Sequence, residues 1–184
     1  MKILVVGFQN CATMYGDLIL DSVTSTAQSV EEAITIYKRL HPEMIIMDCF
    51  LPLTVADWSY YKERLSQNRE IDHKLSVLKN KLDRNQYANS SEVMALKATR
   101  IRISYSMDEC INPDGGIILL EQLKRELQTD KLPVKVLFMT STLDFAKNTP
   151  KISGILEKSH WQHALMPCPV SILNDKLNEL IEAP

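Results

Sequence analysis

Apolar residues follow two rhythms along this chain. Ile3-Leu4-Val5-Val6, Met44-Ile45-Ile46-Met47 and Val136 to Met139 are unbroken apolar runs of strand length. Such runs mark strands buried on both faces. Val134 to Met139 is predicted as a whole strand, and Val23 to Ala27 and Gln162 to Met166 read as two more. Between them the spacing becomes helical. A short helical stretch is predicted over Asn10 to Leu20. Ser29 with Glu32 forms a capping box ahead of the stripe Ala33, Ile36, Tyr37 and Leu40, and His41-Pro42 stops that helix. Ile117, Leu119, Leu120, Leu123 and Leu127 share one helical face after Asp114-Gly115-Gly116. Ser141 to about Lys158 is expected to be a helix made irregular by Pro150 and Gly154, and Pro169 opens a last one carrying Ile172, Leu173, Leu177 and Leu180. Buried strands alternating with amphipathic helices predict a doubly wound α/β sheet. In such sheets the functional crevice lies at the carboxyl ends of the strands, where Asp48 and Thr140 fall.

Between Leu53 and Asn112 the alternation stops. The stretch is rich in Lys, Arg, Glu, Asn, Gln and Ser, and it contains neither Gly nor Pro. Ile71, Leu75, Leu78 and Leu82 form a short coiled-coil-like seam. Asn89 with Glu92 reads as a capping box opening a second helix through Val93, Met94 and Leu96. Ile101, Ile103 and Tyr105 alternate, a pattern that also fits a strand. The expectation is one domain over residues 1–184, with residues 53–112 a mainly helical insertion. Its seam is either the core of an intramolecular hairpin or a dimerising coil.

Composition narrows the classes. With 184 residues, 45% hydrophobic and 24% charged, the chain can form a core without metals or disulfides. A formal charge of −2 gives no general attraction to nucleic acid or anionic membrane. The apolar runs are far too short to span a bilayer, and Met1-Lys2 leads straight into a strand without room for a signal peptide. Cys11, Cys49, Cys110 and Cys168 lack CxxC spacing and suit reduced thiols, so a cytoplasmic location is expected.

Without the insertion, the remainder resembles the receiver (response-regulator) family of two-component signalling almost end to end. Ile46-Met47-Asp48-Cys49-Phe50-Leu51-Pro52 looks like that family's third strand, with the phosphoaccepting Asp followed four residues later by Pro. Asp114-Gly115-Gly116 is similar to the Asp-Gly helix start that normally follows this Pro closely. Val136 to Ser141 is similar to the fourth strand with its terminal Ser/Thr, and His163-Ala164-Leu165-Met166-Pro167 occupies the place of the aromatic-x-x-Lys-Pro motif. The resemblance implies a flavodoxin-like, five-stranded parallel sheet in the order 2-1-3-4-5. It also implies Asp48 as phosphoacceptor candidate, a pocket of Gly7, Phe8, Gln9, Thr140, Met166 and Pro167, a switch position at His163, and a cis bond before Pro167.

This chain departs from that pattern where the chemistry needs it. The family's acidic pair after the first strand holds Mg²⁺, but the sequence there is Val6-Gly7-Phe8-Gln9-Asn10, without a carboxylate. Magnesium demands hard oxygen ligands in near-octahedral geometry, and Asp48 alone leaves most positions to neutral groups or water. The phosphate-pairing Lys is replaced by Met166. No metal and no cofactor are therefore expected, nor enzymatic activity. The expected role is a receiver-like signalling module that works by protein–protein contact. A working receiver, phosphorylated on Asp48 by a histidine kinase with Gln9 or Asn10 as neutral metal ligands, is the alternative. Expected partners are proteins, a histidine kinase or a downstream effector, with homodimerisation through the insertion left open. Neither nucleic acid nor membrane is expected.

Other clusters carry less. His160-x-x-His163 with Cys168 fits no standard zinc pattern. Cys49 has no neighbouring cation in sequence and reads as an inert, partly buried thiol. Lys97, Arg100 and Arg102 are basic, but acidic residues interleave nearby and a solvated face is expected. No phosphate-cradling glycine run follows the first strand, and no Ser-His-Asp or paired-carboxylate pattern appears.

Overall fold

A computed structural model of the chain describes residues 1–7, 23–127, 135–140, 150–155 and 163–167. The helices expected over Asn10 to Leu20 and from Pro169 onward, and most of the one expected over Ser141 to Lys158, lie outside these residues. Residues 150–155 of the latter are helical. The chain divides into two compact units, Met1–Val55 with Asn112–Pro184, and Ala56–Ile111.

The first unit is built on a parallel sheet. Strands β1 (Lys2–Val6), β2 (Val23–Ala27), β3 (Met44–Asp48), β4 (Lys135–Thr140) and β5 (His163–Pro167) lie in the order β2-β1-β3-β4-β5. The order and parallel sense of the first four match the expectation, with β5 beside β4 at the edge. In β1 and β3 every residue between Ile3 and Val6 and between Met44 and Met47 is buried. That two-sided burial is why these strands read as unbroken apolar runs instead of alternating ones. One face of the core gathers Leu4, Val6, Ile45, Met47, Val136 and Phe138 against the flanking helices.

Helix α1 (Val30–Leu40) starts at Ser29, whose hydroxyl accepts from the Glu32 N–H at 3.2 Å. Glu32 returns a carboxylate to the Gln28 N–H at 2.8 Å, one residue earlier than the capping box in the sequence suggests. The helix ends at His41, in the left-handed region with φ 47°, so that its N–H still reaches the Tyr37 carbonyl. Pro52, Leu53 and Val55 are tied to its first turn. Val30 and Glu31 donate backbone N–H groups to the carbonyls of Pro52 and Leu53, and the Glu31 carboxylate accepts from the Val55 N–H at 3.0 Å.

The second unit is helical throughout. Helix α2 (Val55–Lys81) enters it, followed by α3 (Arg84–Asn89) and α4 (Ser91–Asp108). At 27 residues, α2 is about 40 Å long. Asp83 and Gln86 form a reciprocal capping box on α3, and Ser90 caps α4 through the Val93 N–H. The second helix start therefore sits one residue beyond the Asn89–Glu92 pairing the sequence suggested. Ile101, Ile103 and Tyr105 are helical, not a strand. Their alternation arises because Ile103 faces inward while Ile101 and Tyr105 are exposed.

Ile71, Leu75, Val93, Ile103 and Met107 make the core of this unit, with Tyr61, Leu65, Leu78, Tyr87 and Leu96 around it. Asp72 pairs with Arg100 while Asn68 meets Ser104 and Met107, so α2 and α4 run antiparallel. Ile71 and Leu75 of the leucine seam are thereby buried within the chain itself, with Leu78 packed at the edge of the same cluster.

Candidate functional site

The end of β3 is tied directly to the start of helix α5 (Gly115–Leu127). Leu51 and Asn112 exchange two backbone hydrogen bonds, Leu51 N to Asn112 O at 3.2 Å and Asn112 N to Leu51 O at 3.1 Å. The long segment between them thus leaves and returns at one point. Beyond it, Asn112 accepts from the Asp114 N–H through its side chain and from the Gly115 N–H through its carbonyl. The Gly116 N–H then reaches the Cys49 carbonyl at 2.9 Å. The two glycines permit this approach. A Cβ on Gly116 would lie 2.1 Å from the Asp48 carbonyl oxygen, and one on Gly115 would lie 2.5 Å from that of Leu51. Sequence resemblance pointed to the Asp-Gly helix start, but not to this packing against the backbone of β3.

Strand register brings most of the expected pocket positions to one edge. Asp48 pairs with Met139, Met139 with Met166, and Thr140 with Pro167. Val6 pairs with Met47, so buried Gly7 follows at the level of Asp48, its N–H donating to the Ala27 carbonyl at 3.1 Å. Gly7, Asp48, Thr140, Met166 and Pro167 therefore share the carboxyl edge. Phe8 and Gln9 lie outside the described residues. His163 does not join the group: it opens β5 and pairs with Val136, at the other end of the strand. Among the described residues, which include Met166 and Pro167, no peptide bond is cis. That corrects the isomer the resemblance implied; β5 continues in register with β4 through Pro167.

Asp48 is the half-buried acid of this edge. Its Oδ1 accepts from the backbone N–H of Cys49 and, at 3.4 Å, from that of Phe50. Burial pushes its carboxyl above the ordinary range, and the two N–H groups pull in the opposite direction without overcoming it. The site thus favours the neutral acid relative to water. Cys49 is fully buried and supplies packing beneath this turn.

A receiver's Mg²⁺ would require further oxygen ligands beside Asp48. Among the described residues no three His, Cys, Asp or Glu side chains come together as a metal site. Residues 8–10, outside them, are Phe, Gln and Asn. His160 and Cys168 also lie outside the described residues. The basic trio of the second unit is partly engaged: Lys97 sits over the Tyr87 ring at 5.1 Å and Arg100 pairs with Asp72 at 3.1 Å.

Among solved structures, the chain is similar to the non-phosphorylated HemR receiver domain from Leptospira biflexa. The TM-score is 0.52 with 13% identity, covering 100% of this chain and 95% of that one. At that identity the likeness establishes a receiver-type fold. No protein-family profile and no curated protein matches the sequence. Among the described residues no helix is long and apolar enough to cross a membrane.

Proposed function

We propose that this chain is an atypical receiver-like signalling module that acts through protein contacts, without Mg²⁺-dependent phosphorylation of Asp48. The observation carrying this reading is the environment of Asp48. The acid sits at the family's phosphoacceptor position, yet burial raises its pKa and the partners described for it are backbone N–H groups. Phosphoryl transfer needs cationic groups to offset the charge on the transferring group. The sequence puts Gly7 and Phe8 where the family has its acids and Met166 where it has its lysine. An aspartyl phosphate would add roughly two negative charges to this edge.

Protein contact is then the output that remains for such a fold, with a kinase-like or effector protein as partner and a cytoplasmic setting. The test is incubation with Mg²⁺ and acetyl phosphate, read by intact mass, alongside calorimetric titration with Mg²⁺. The expected result is an unmodified mass and no heat of metal binding. A phosphoryl adduct that disappears in Asp48→Asn would overturn the reading and establish the working receiver instead.

A further inference from the structure

The helical unit covers its leucine seam but leaves a second apolar stripe open. On α4, Met94 is 56% exposed, Ile101 56% and Tyr105 70%. These lie at helical spacing on a face distinct from the buried Val93, Ile103 and Met107. Lys97, Arg100, Ile101, Ser104, Tyr105 and Asp108 line an open groove along that face. Charge is graded along the groove, with Lys97 and Arg100 preceding Asp108 at its C-terminal end.

That grading is self-complementary in one orientation. When two such helices run antiparallel, centred between Arg102 and Ile103, Lys97 faces the partner's Asp108 and Arg100 faces the partner's Tyr105. Ile101 then meets the partner's Ser104, and the two-fold axis repeats every contact. A parallel pairing would stack lysine on lysine and aspartate on aspartate, which is unfavourable. The Arg100 guanidinium keeps its carboxylate partner Asp72 and can still lay its flat face on an aromatic ring.

We propose that the exposed face of α4 is a homodimer interface, with a second copy of this chain bound antiparallel across it. The proposal rests on the reading that the chain works by protein contact, and not on the state of Asp48. An 18-residue helix is about 27 Å long, so the contact is small beside the roughly 800 Å² per partner of standard interfaces. The dimer should therefore be weak and concentration-dependent.

Sedimentation velocity of the full chain over a wide micromolar range tests it, with circular dichroism confirming that each variant is folded. The wild type should shift from monomer to dimer with concentration, and the shift should weaken in high salt. Ile101→Glu should stay monomeric. Lys97→Glu should raise the dissociation constant about tenfold or more. Combining Lys97→Glu with Asp108→Lys should recover association, a rescue that a merely structural role would not give. A wild type that is monomeric throughout, an Ile101→Glu variant that still dimerises, or a charge swap no better than Lys97→Glu alone would overturn the interface. None of these results bears on phosphoryl uptake at Asp48, which the mass experiment reads separately.

Discussion

The Gly116 N–H donates to the Cys49 carbonyl at 2.9 Å, locking the first turn of α5 onto the backbone that carries Asp48. Two residues separated by the whole helical unit in sequence are direct neighbours in space. The consequence is that the geometry around Asp48 depends on a glycine far along the chain. It depends equally on the Leu51–Asn112 bridge that returns the chain to the sheet.

Gly116→Ala should therefore destabilise the protein. Its Cβ would lie 2.1 Å from the Asp48 carbonyl oxygen, a clash with backbone that no side-chain rotation relieves. Overpacking of this kind costs about 1–3 kcal/mol. Gly154→Ala is the matched control, since nothing lies within 4 Å of a Cβ there and the residue is helical. It should be neutral or stabilising by up to about 1 kcal/mol. Urea midpoints of the two variants decide the matter.

Asp48→Asn should stabilise the protein at neutral pH. The folded-state pKa is raised above the ordinary 3.8, so folded Asp48 holds its proton to higher pH than the unfolded chain does. Between those two values the native state binds more protons, and stability falls as pH rises. Below 3.8 both states are protonated and the penalty vanishes; above the folded pKa it is constant. The gain from Asp48→Asn should be largest above the folded pKa and shrink as the pH falls from there toward 3.8. Paired urea titrations across that range would expose a flat difference, which would show that burial does not oppose ionisation of Asp48.

The sheet was legible because two-sided burial leaves a simple mark. Ile3 to Val6 and Met44 to Met47 are apolar without a break, and helix spacing between strands did the rest. The Asp48 and Asp114-Gly115-Gly116 motifs marked two segments that the Gly116–Cys49 hydrogen bond brings together. What could not be read depends on long-range pairing. No local signal predicts that Glu31 will accept from the Val55 N–H, or that Asn112 will pair with Leu51. The alternating Ile101, Ile103 and Tyr105 misled for a physical reason: α4 is apolar on two faces, and two helical stripes overlaid in sequence imitate a period of two.

Replacing residues 56–111 with a short flexible linker should leave the sheet unit folded. Its ends are already joined by the Leu51–Asn112 hydrogen bonds, and it forms a compact unit of its own. Loop length costs only about 0.6 kcal/mol per doubling, so shortening the connection gains or loses little in entropy. A cooperative urea transition in the excised protein is the expected outcome. A chain without one would mean that the helical unit is needed for the sheet to fold.

Adding charged groups at the carboxyl edge should create metal binding there. Gly7→Asp and Phe8→Asp together with Met166→Lys would add two carboxylates and a cation; strand register puts Gly7 and Met166 at the same sheet edge as Asp48. The expected gain is a measurable heat of Mg²⁺ binding absent from the wild type. Binding by the wild type equal to that of the triple variant would show that neutral ligands suffice and weaken the contact-only reading.

Leu75→Ala separates the covered seam from the exposed stripe. Leu75 is 7% exposed and packs in one cluster with Ile71, Val93, Ile103 and Met107. Truncating a buried leucine costs about 2–5 kcal/mol, depending on how far the site collapses. An isolated helix of this length relies on packing of its apolar face to persist. Leu75→Ala should thus lower helicity and the thermal midpoint, and should do so in dilute monomer as much as at high concentration. Ile101→Glu, on the exposed face, should change neither in the dilute monomer. A loss of helicity from Leu75→Ala that appears only at dimer-forming concentrations would place the seam between chains, and the intramolecular packing of α2 against α4 would then be wrong.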